Sequence, residues 1–266
     1  GYWSRGLGDV YKRQVNMQFN LEEILRAATY LELLGQGTNA IVTEMKSISA
    51  QTREQETVPN FSNIRDIRQR GDYGVGPSRR LRLFDESRQR EFDVVLVQPQ
   101  RWREGKTPVI IFSHGLASRP EDFKEDVLQL VSYGYVVALP QHPGSDFNQL
   151  QEMLQGFSRE IVKVDEYVDR PLDVSYVIDE LERRNRREFE GRLDLNNVGV
   201  MGHSFGGYTA LALAGAKLNF DSLEEICGRN LWGPNLSLLL QCRALELPRK
   251  DYDFCLLYTS PSPRDQ

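Results

Sequence analysis

The stretch Asn196 to Ala216, NNVGVMGHSFGGYTALALAGA, leaves few folds open to this chain. An apolar run leads into Gly202-His203-Ser204-Phe205-Gly206, and a run of small residues leads out. A G-x-S-x-G turn between a strand and a helix lifts its serine above the end of a buried sheet. Gly202 and Gly206 stand where the strand and helix backbones are predicted nearly to touch, leaving no room for side chains. Ser204 is then held exposed at a helix N-terminus, with the Phe205 N–H facing the place where an oxyanion would form. The pattern points to acyl transfer with Ser204 as nucleophile. The plainer alternative is a glycine-rich turn that only packs a helix.

The rest of the chain supplies the expected frame. RLRLF and REFDVVLVQP are short β-rich runs that suit a hairpin. PVIIFSHG and YVVALPQHPG are continuous apolar runs ending in turns, as buried parallel strands are. EDFKEDVLQLVSYG reads as a helix closing on Gly134, and RPLDVSYVIDELERRNRR as a helix with Pro171 in its first turn and a basic end. Strands alternating with helices imply an α/β fold, a mostly parallel sheet flanked by helices.

The second oxyanion donor is expected from the loop after an earlier strand. FSHGLAS fits, because Gly115 permits a sharp turn and the Leu116 N–H can face the same oxygen. The sequence has three histidines, His114, His142 and His203, and none follows Ser204. His114 is expected to brace the loop, and His203 to point into the protein. His142 is a candidate contact at the substrate rim, with a structural role in its loop as the alternative. In this arrangement the chain order is Ser, then Asp or Glu, then His. The base and acid are therefore expected to be cut off rather than replaced. Asp221, Glu224 and Glu225 fall in a helical or lid-like stretch, and no catalytic acid is nominated.

Both ends read as foreign. SRGLGDVYKRQ (Ser4 to Gln14) and CLLYTSPSPRD (Cys255 to Asp265) are encoded by one DNA string, read once on each strand, as a sequencing-library adapter would be. Residues 1–14 and 255–266 are accordingly set aside. Residues 15–50 hold a capped amphipathic helix (Leu21 to Leu34) and a weaker one from about Asn39 to Ala50, the remnant of a helical domain. Residues 51–79 are polar and rich in glycine and read as a linker; 80–254 is the core, C-terminally truncated. The 33 basic and 38 acidic residues give a net charge of −5, which argues against a nucleic-acid partner. No apolar run approaches the roughly 20 residues that span a bilayer.

FSHGLAS, ALPQHPGSD, DRPLDVSYVIDELE, GHSFGGYTALALAGA and LSLLLQCRALELP together resemble bacterial, chiefly cyanobacterial, α/β-hydrolases that carry an N-terminal helical domain of unknown function. More distantly, SHGL and GHSFGG are similar to platelet-activating-factor acetylhydrolases and dienelactone-hydrolase-like enzymes. The resemblance spans about Arg80 to Pro248. It implies an α/β-hydrolase fold, Ser204 as nucleophile, and the Leu116 and Phe205 N–H groups as oxyanion donors. Members of the family often look exported, which allows Cys227 and Cys242 to be read as a disulfide closing a lid segment; two free, buried cysteines is the equal alternative. No metal or cofactor is implied. The expected activity of the parent is hydrolysis of a small or lipid-like carboxylic ester, with this chain inactive for want of its base. A non-catalytic binding module and an amide or thioester hydrolase are the alternatives.

Overall fold

The computed structural model describes residues 42–51, 65–230 and 236–248. The expected helix at Leu21 to Leu34 and both adapter-like ends lie outside the described residues. The chain divides into two compact units, with a boundary after Ile64. The described part of the first is helix α1, residues 42–51, exposed along its whole length.

The second unit is built on a five-stranded sheet in the order β1-β2-β4-β3-β5. Strands β1 (Val75–Asp85) and β2 (Arg90–Pro99) form the expected hairpin, and β2 pairs antiparallel with β4 (Val136–Pro140). Strand β3 (Thr107–Ser113) pairs parallel with both β4 and β5 (Leu193–Gly202). The sheet is thus mixed, with its parallel part at the strands that carry the site.

Period-two alternation sorts the apolar residues of β3 and β4 to two faces. Val109, Ile111, Val136 and Ala138 pack with Val174, Val177 and Leu181 of helix α4 (Glu166–Glu188). Phe112, Val137 and Leu139 pack on the other face with Val127 and Val131 of helix α2 (Lys124–Ser132). Burying each such side chain stabilises the fold by about 1.5–3 kcal/mol relative to exposure. Helix α3 (Phe147–Leu154) is capped by Asp146, whose carboxylate accepts from the Gln149 N–H. Helices α5 (Phe205–Leu213), α6 (Phe220–Asn230) and α7 (Leu236–Cys242) follow β5.

Two boundaries differ from the sequence reading. Residues 65–79, read as the end of a linker, belong to the folded core. The Tyr73 N–H donates to the Ser132 carbonyl, and a Cβ on Gly71 would stand 2.2 Å from that same oxygen. That glycine permits a close approach; it does not loosen the chain. Helix α4 begins at Glu166, so Pro171 sits in its second turn instead of its first. A proline there has no N–H for the carbonyl four residues earlier, that of Tyr167. The Tyr208 hydroxyl donates to this carbonyl at 2.9 Å, a substitute partner supplied by α5.

Candidate active site

Ser204 lies between the end of β5 and the start of α5, with φ 52° and ψ −114°. A non-glycine residue at positive φ costs about 1–3 kcal/mol and persists only where its surroundings impose it. Those surroundings are visible. A Cβ on Gly202 would stand 2.3 Å from Gly206 backbone atoms, and one on Gly206 would stand 1.9 Å from the Ser113 carbonyl oxygen. The His203 N–H donates to that Ser113 oxygen at 3.2 Å. The turn is therefore clamped onto the end of β3, and Ser204 stays exposed above it.

The loop after β3 runs against the same turn. A Cβ on Gly115 would meet His203 Nδ1 at 3.0 Å. The Leu116 side chain packs in one apolar cluster with Phe205 and Tyr167. Ala117 takes φ 55°, and its N–H donates to the Ser145 carbonyl at 2.8 Å. Phe205 is the first residue of α5, where an N–H has no carbonyl of its own helix to bond.

A pocket of about 470 Å³ opens at Ser204, walled by Tyr167, Tyr208, Leu218, Leu223 and Leu240 among others. A larger groove of about 520 Å³, between β1 and α2, shares no residue with it. The smaller one is the candidate site because it holds the strained serine. Cys227 of α6 and Cys242 at the end of α7 are joined as a disulfide. Of the two readings open from the sequence, the structure has the bonded one, and the bridge ties two helices that wall the pocket.

A sequence model of the chlorophyllase family matches residues 65–226, more than half of the chain. The chain belongs to the chlorophyllase family. Its fold is accordingly the α/β-hydrolase fold, and the family match begins at Arg65, where the second compact unit begins. Among solved structures, this chlorophyllase-family chain is similar to a ferulic acid esterase from Streptomyces cinnamoneus, with 22% identity over 52% of this chain and 54% of that one and a TM-score of 0.42. It is also similar to a protein designated m3DLH, with 19% identity over 53% and 56% of the two chains and a TM-score of 0.38. The chain spans about half the length of each.

The three histidines of this chlorophyllase-family chain divide between buried and exposed positions. His142 is fully buried, so it is no rim residue. Its Nε2 lies 3.0 Å from Ser113 Oγ and its Nδ1 2.9 Å from Asp173 Oδ2. This chain of contacts imitates a Ser-His-Asp triad but cannot work as one. All three side chains are sealed from solvent, and Arg88 and Arg90 hold Asp173. Burial, then the nearby Arg170, Arg90 and Arg88, push His142 well below the ordinary histidine range. A general base must become imidazolium, the state those charges oppose.

His114 does brace its loop. Its Nε2 accepts from the His142 backbone N–H at 3.1 Å, which leaves Nδ1–H to donate to the Gly115 carbonyl at 2.7 Å. Burial, with His142 and Arg170 nearby, keeps it neutral. His203 is exposed, against the expectation that it points inward; its ring lies against that of Phe123, 5.5 Å between centres, and not within the core. Asp221, Glu224 and Glu225 lie on α6.

Sequence reasoning missed Glu166, Arg170 and Asp173. A signal existed. These charges recur at helical spacing and continue the stripe that carries Val177 and Leu181, so they were bound for the interior. Among the described residues, no group of three His, Cys, Asp or Glu side chains could hold a metal, and no helix is long and apolar enough to cross a membrane.

Proposed function

We propose that Ser204 is the nucleophile of a carboxylic ester hydrolase working through an acyl-enzyme. One observation carries this reading: a serine held at positive φ by two glycines where even a Cβ would clash with backbone, exposed at the mouth of an apolar pocket. In the proposed reaction, Ser204 Oγ attacks the ester carbonyl as its proton passes to a base. The carbonyl oxygen gains negative charge and takes hydrogen bonds from the Leu116 and Phe205 N–H groups, each such donor worth about 10²- to 10³-fold in rate. The alcohol departs with a proton, and water then releases the acid from Ser204.

The base is not among His114, His142 and His203: two are sealed and neutral, and the third precedes the nucleophile on the strand side of the turn. With none of the three histidines serving as base, we expect the chain as given to show no turnover by itself. The apolar pocket suits small or lipid-like esters. Chlorophyll, named by the family, belongs in the substrate panel beside p-nitrophenyl esters, anilides and acyl-thioesters.

The test uses imidazole as an external base. With p-nitrophenyl butyrate and imidazole, the chain is expected to gain one butyryl mass on the peptide containing Ser204. Ser204→Ala is expected to gain none and to escape fluorophosphonate labelling. An adduct that survives this substitution moves the nucleophile elsewhere. No adduct on a folded wild type favours a binding module.

A further inference from the structure

Arg170 is the largest fully buried side chain of the described core. Burying a guanidinium carries a heavy desolvation cost unless its hydrogens find partners. Here they do not simply close on a carboxylate. Nη1 donates to the His114 carbonyl at 2.7 Å and Nη2 reaches the Gly115 carbonyl at 3.4 Å. Nε donates to Ser145 Oγ at 2.9 Å, and that hydroxyl donates to Glu166 Oε2 at 2.5 Å. Glu166 itself stands 3.7 Å from Nε. The guanidinium also lies over the Phe205 ring, 4.4 Å from its centre.

Two of the three guanidinium nitrogens are thus spent on backbone oxygens of a single loop. The geometry of the peptide makes that informative. All described peptides are trans, and in a trans peptide the carbonyl and the following N–H point in opposite directions. The Gly115 carbonyl and the Leu116 N–H share one such plane. Holding the carbonyl toward Arg170 and His114 Nδ1 turns the Leu116 N–H away from both. The positive charge also polarises that amide and sharpens its N–H as a donor. The next residue, Ala117, is at positive φ, a conformation its surroundings must impose. Arg170 before it and the Ser145 carbonyl on its own N–H supply that constraint.

We propose that Arg170 is a positioning residue for the oxyanion hole, fixing the Leu116 loop and the Phe205 ring in one register. The proposal rests on Ser204 being the nucleophile. It explains why the position needs a planar fork: a lysine would keep the charge but could not span both carbonyls and the ring.

The experiment compares wild type, Arg170→Lys, the charge-balanced pair Arg170→Met with Glu166→Gln, and Val177→Ala as a core variant of similar thermal destabilisation. The pair serves where Arg170→Lys fails to fold. The first readout is butyrylation of Ser204 at saturating imidazole, resolved into a maximal rate and a half-saturating ester concentration. The second is amide hydrogen exchange at Leu116 and Ala117. Both Arg170 variants are expected to lower the maximal rate about 10- to 100-fold with little change in half-saturation. Exchange at the two amides should quicken at least about tenfold, as local opening becomes easier. Val177→Ala should do neither. Wild-type acylation with unchanged rate and exchange in the Arg170 variants overturns this proposal alone, as does an equal effect in Val177→Ala. Failure of folded wild type to be acylated overturns the nucleophile reading, and this one with it.

Discussion

Replacing Ser204 by glycine should make the protein more stable while removing its proposed chemistry. The backbone at 204, φ 52° and ψ −114°, is the conformation of the first central residue of a tight mirror-image turn, which glycine dominates. A Cβ there costs about 1–3 kcal/mol. Alanine is the proper reference, because Ser204→Ala removes the hydroxyl and keeps the Cβ. Glycine then relieves the strain but gives the unfolded chain more freedom, a loss of about 0.4–1 kcal/mol. The balance favours Ser204→Gly over Ser204→Ala by about 1.3 kcal/mol at the middle of both ranges, and by at most about 2.6 kcal/mol. For a core of this size the middle value is roughly 3–5 °C in melting temperature. Ser204 is exposed, so lost packing does not confuse the comparison. Melts followed by circular dichroism, with urea titrations beside them, give the answer. A glycine variant that melts at or below the alanine variant would refute the claim that the turn stores strain.

Gly206→Ala should be far more harmful, because its Cβ must retreat by about 1 Å from the Ser113 oxygen; the cost lies at or above the upper end of the ~1–3 kcal/mol of overpacking and would appear as a lower melting temperature. Tyr208→Phe should cost about 1–3 kcal/mol by stranding the Tyr167 carbonyl, and much less in a Pro171→Ala background, where the helix regains its own N–H; additive effects in this double-mutant cycle would show the hydroxyl does not serve that carbonyl. Burial lifts Glu166 from 4.5 to about 7 despite Arg90 and Arg170. A raised folded-state value contributes stability that is complete below 4.5 and lost as pH rises toward 7, so wild type should lose up to about 3 kcal/mol relative to Glu166→Gln across that window, and parallel pH profiles would count against it. Replacing Cys227 and Cys242 with serine frees a link between residues 15 apart, and the melting temperature should fall by the equivalent of about 3 kcal/mol, with reductant acting on wild type alone.

What the sequence made legible was local. The apolar runs before His114 and Gln141 became β3 and β4, and the glycines of GHSFG became contact points, because periodicity and steric need are written in neighbouring residues. What it hid was long-range. Gly71, Gly74 and Gly76 looked like a flexible tract, yet Gly71 is fixed by Ser132, 61 residues away. Pro171 looked like a helix start because its missing N–H is harmless there; it sits one turn deeper because Tyr208 answers the freed carbonyl. His142, just past a strand end, could be read as a rim contact or as a structural part of its loop. Its real neighbours, Asp173 and three arginines, come from β2, α4 and the turn before β2, and no spacing rule brings them together.

Those hidden contacts converge on one atom group. Arg88 and Arg90 hold Asp173, Asp173 holds His142, and His142 holds the Ser113 side chain, while the Ser113 carbonyl takes the His203 N–H and stops any side chain at Gly206. The buried Ser-His-Asp chain is thus the footing of the turn that carries Ser204. Its histidine must stay neutral, since an imidazolium beside Arg170, Arg90 and Arg88 would force the group apart. The two serines therefore divide the work by environment. Ser113 is locked under a sealed, positively charged network, and Ser204 is left exposed and strained above it.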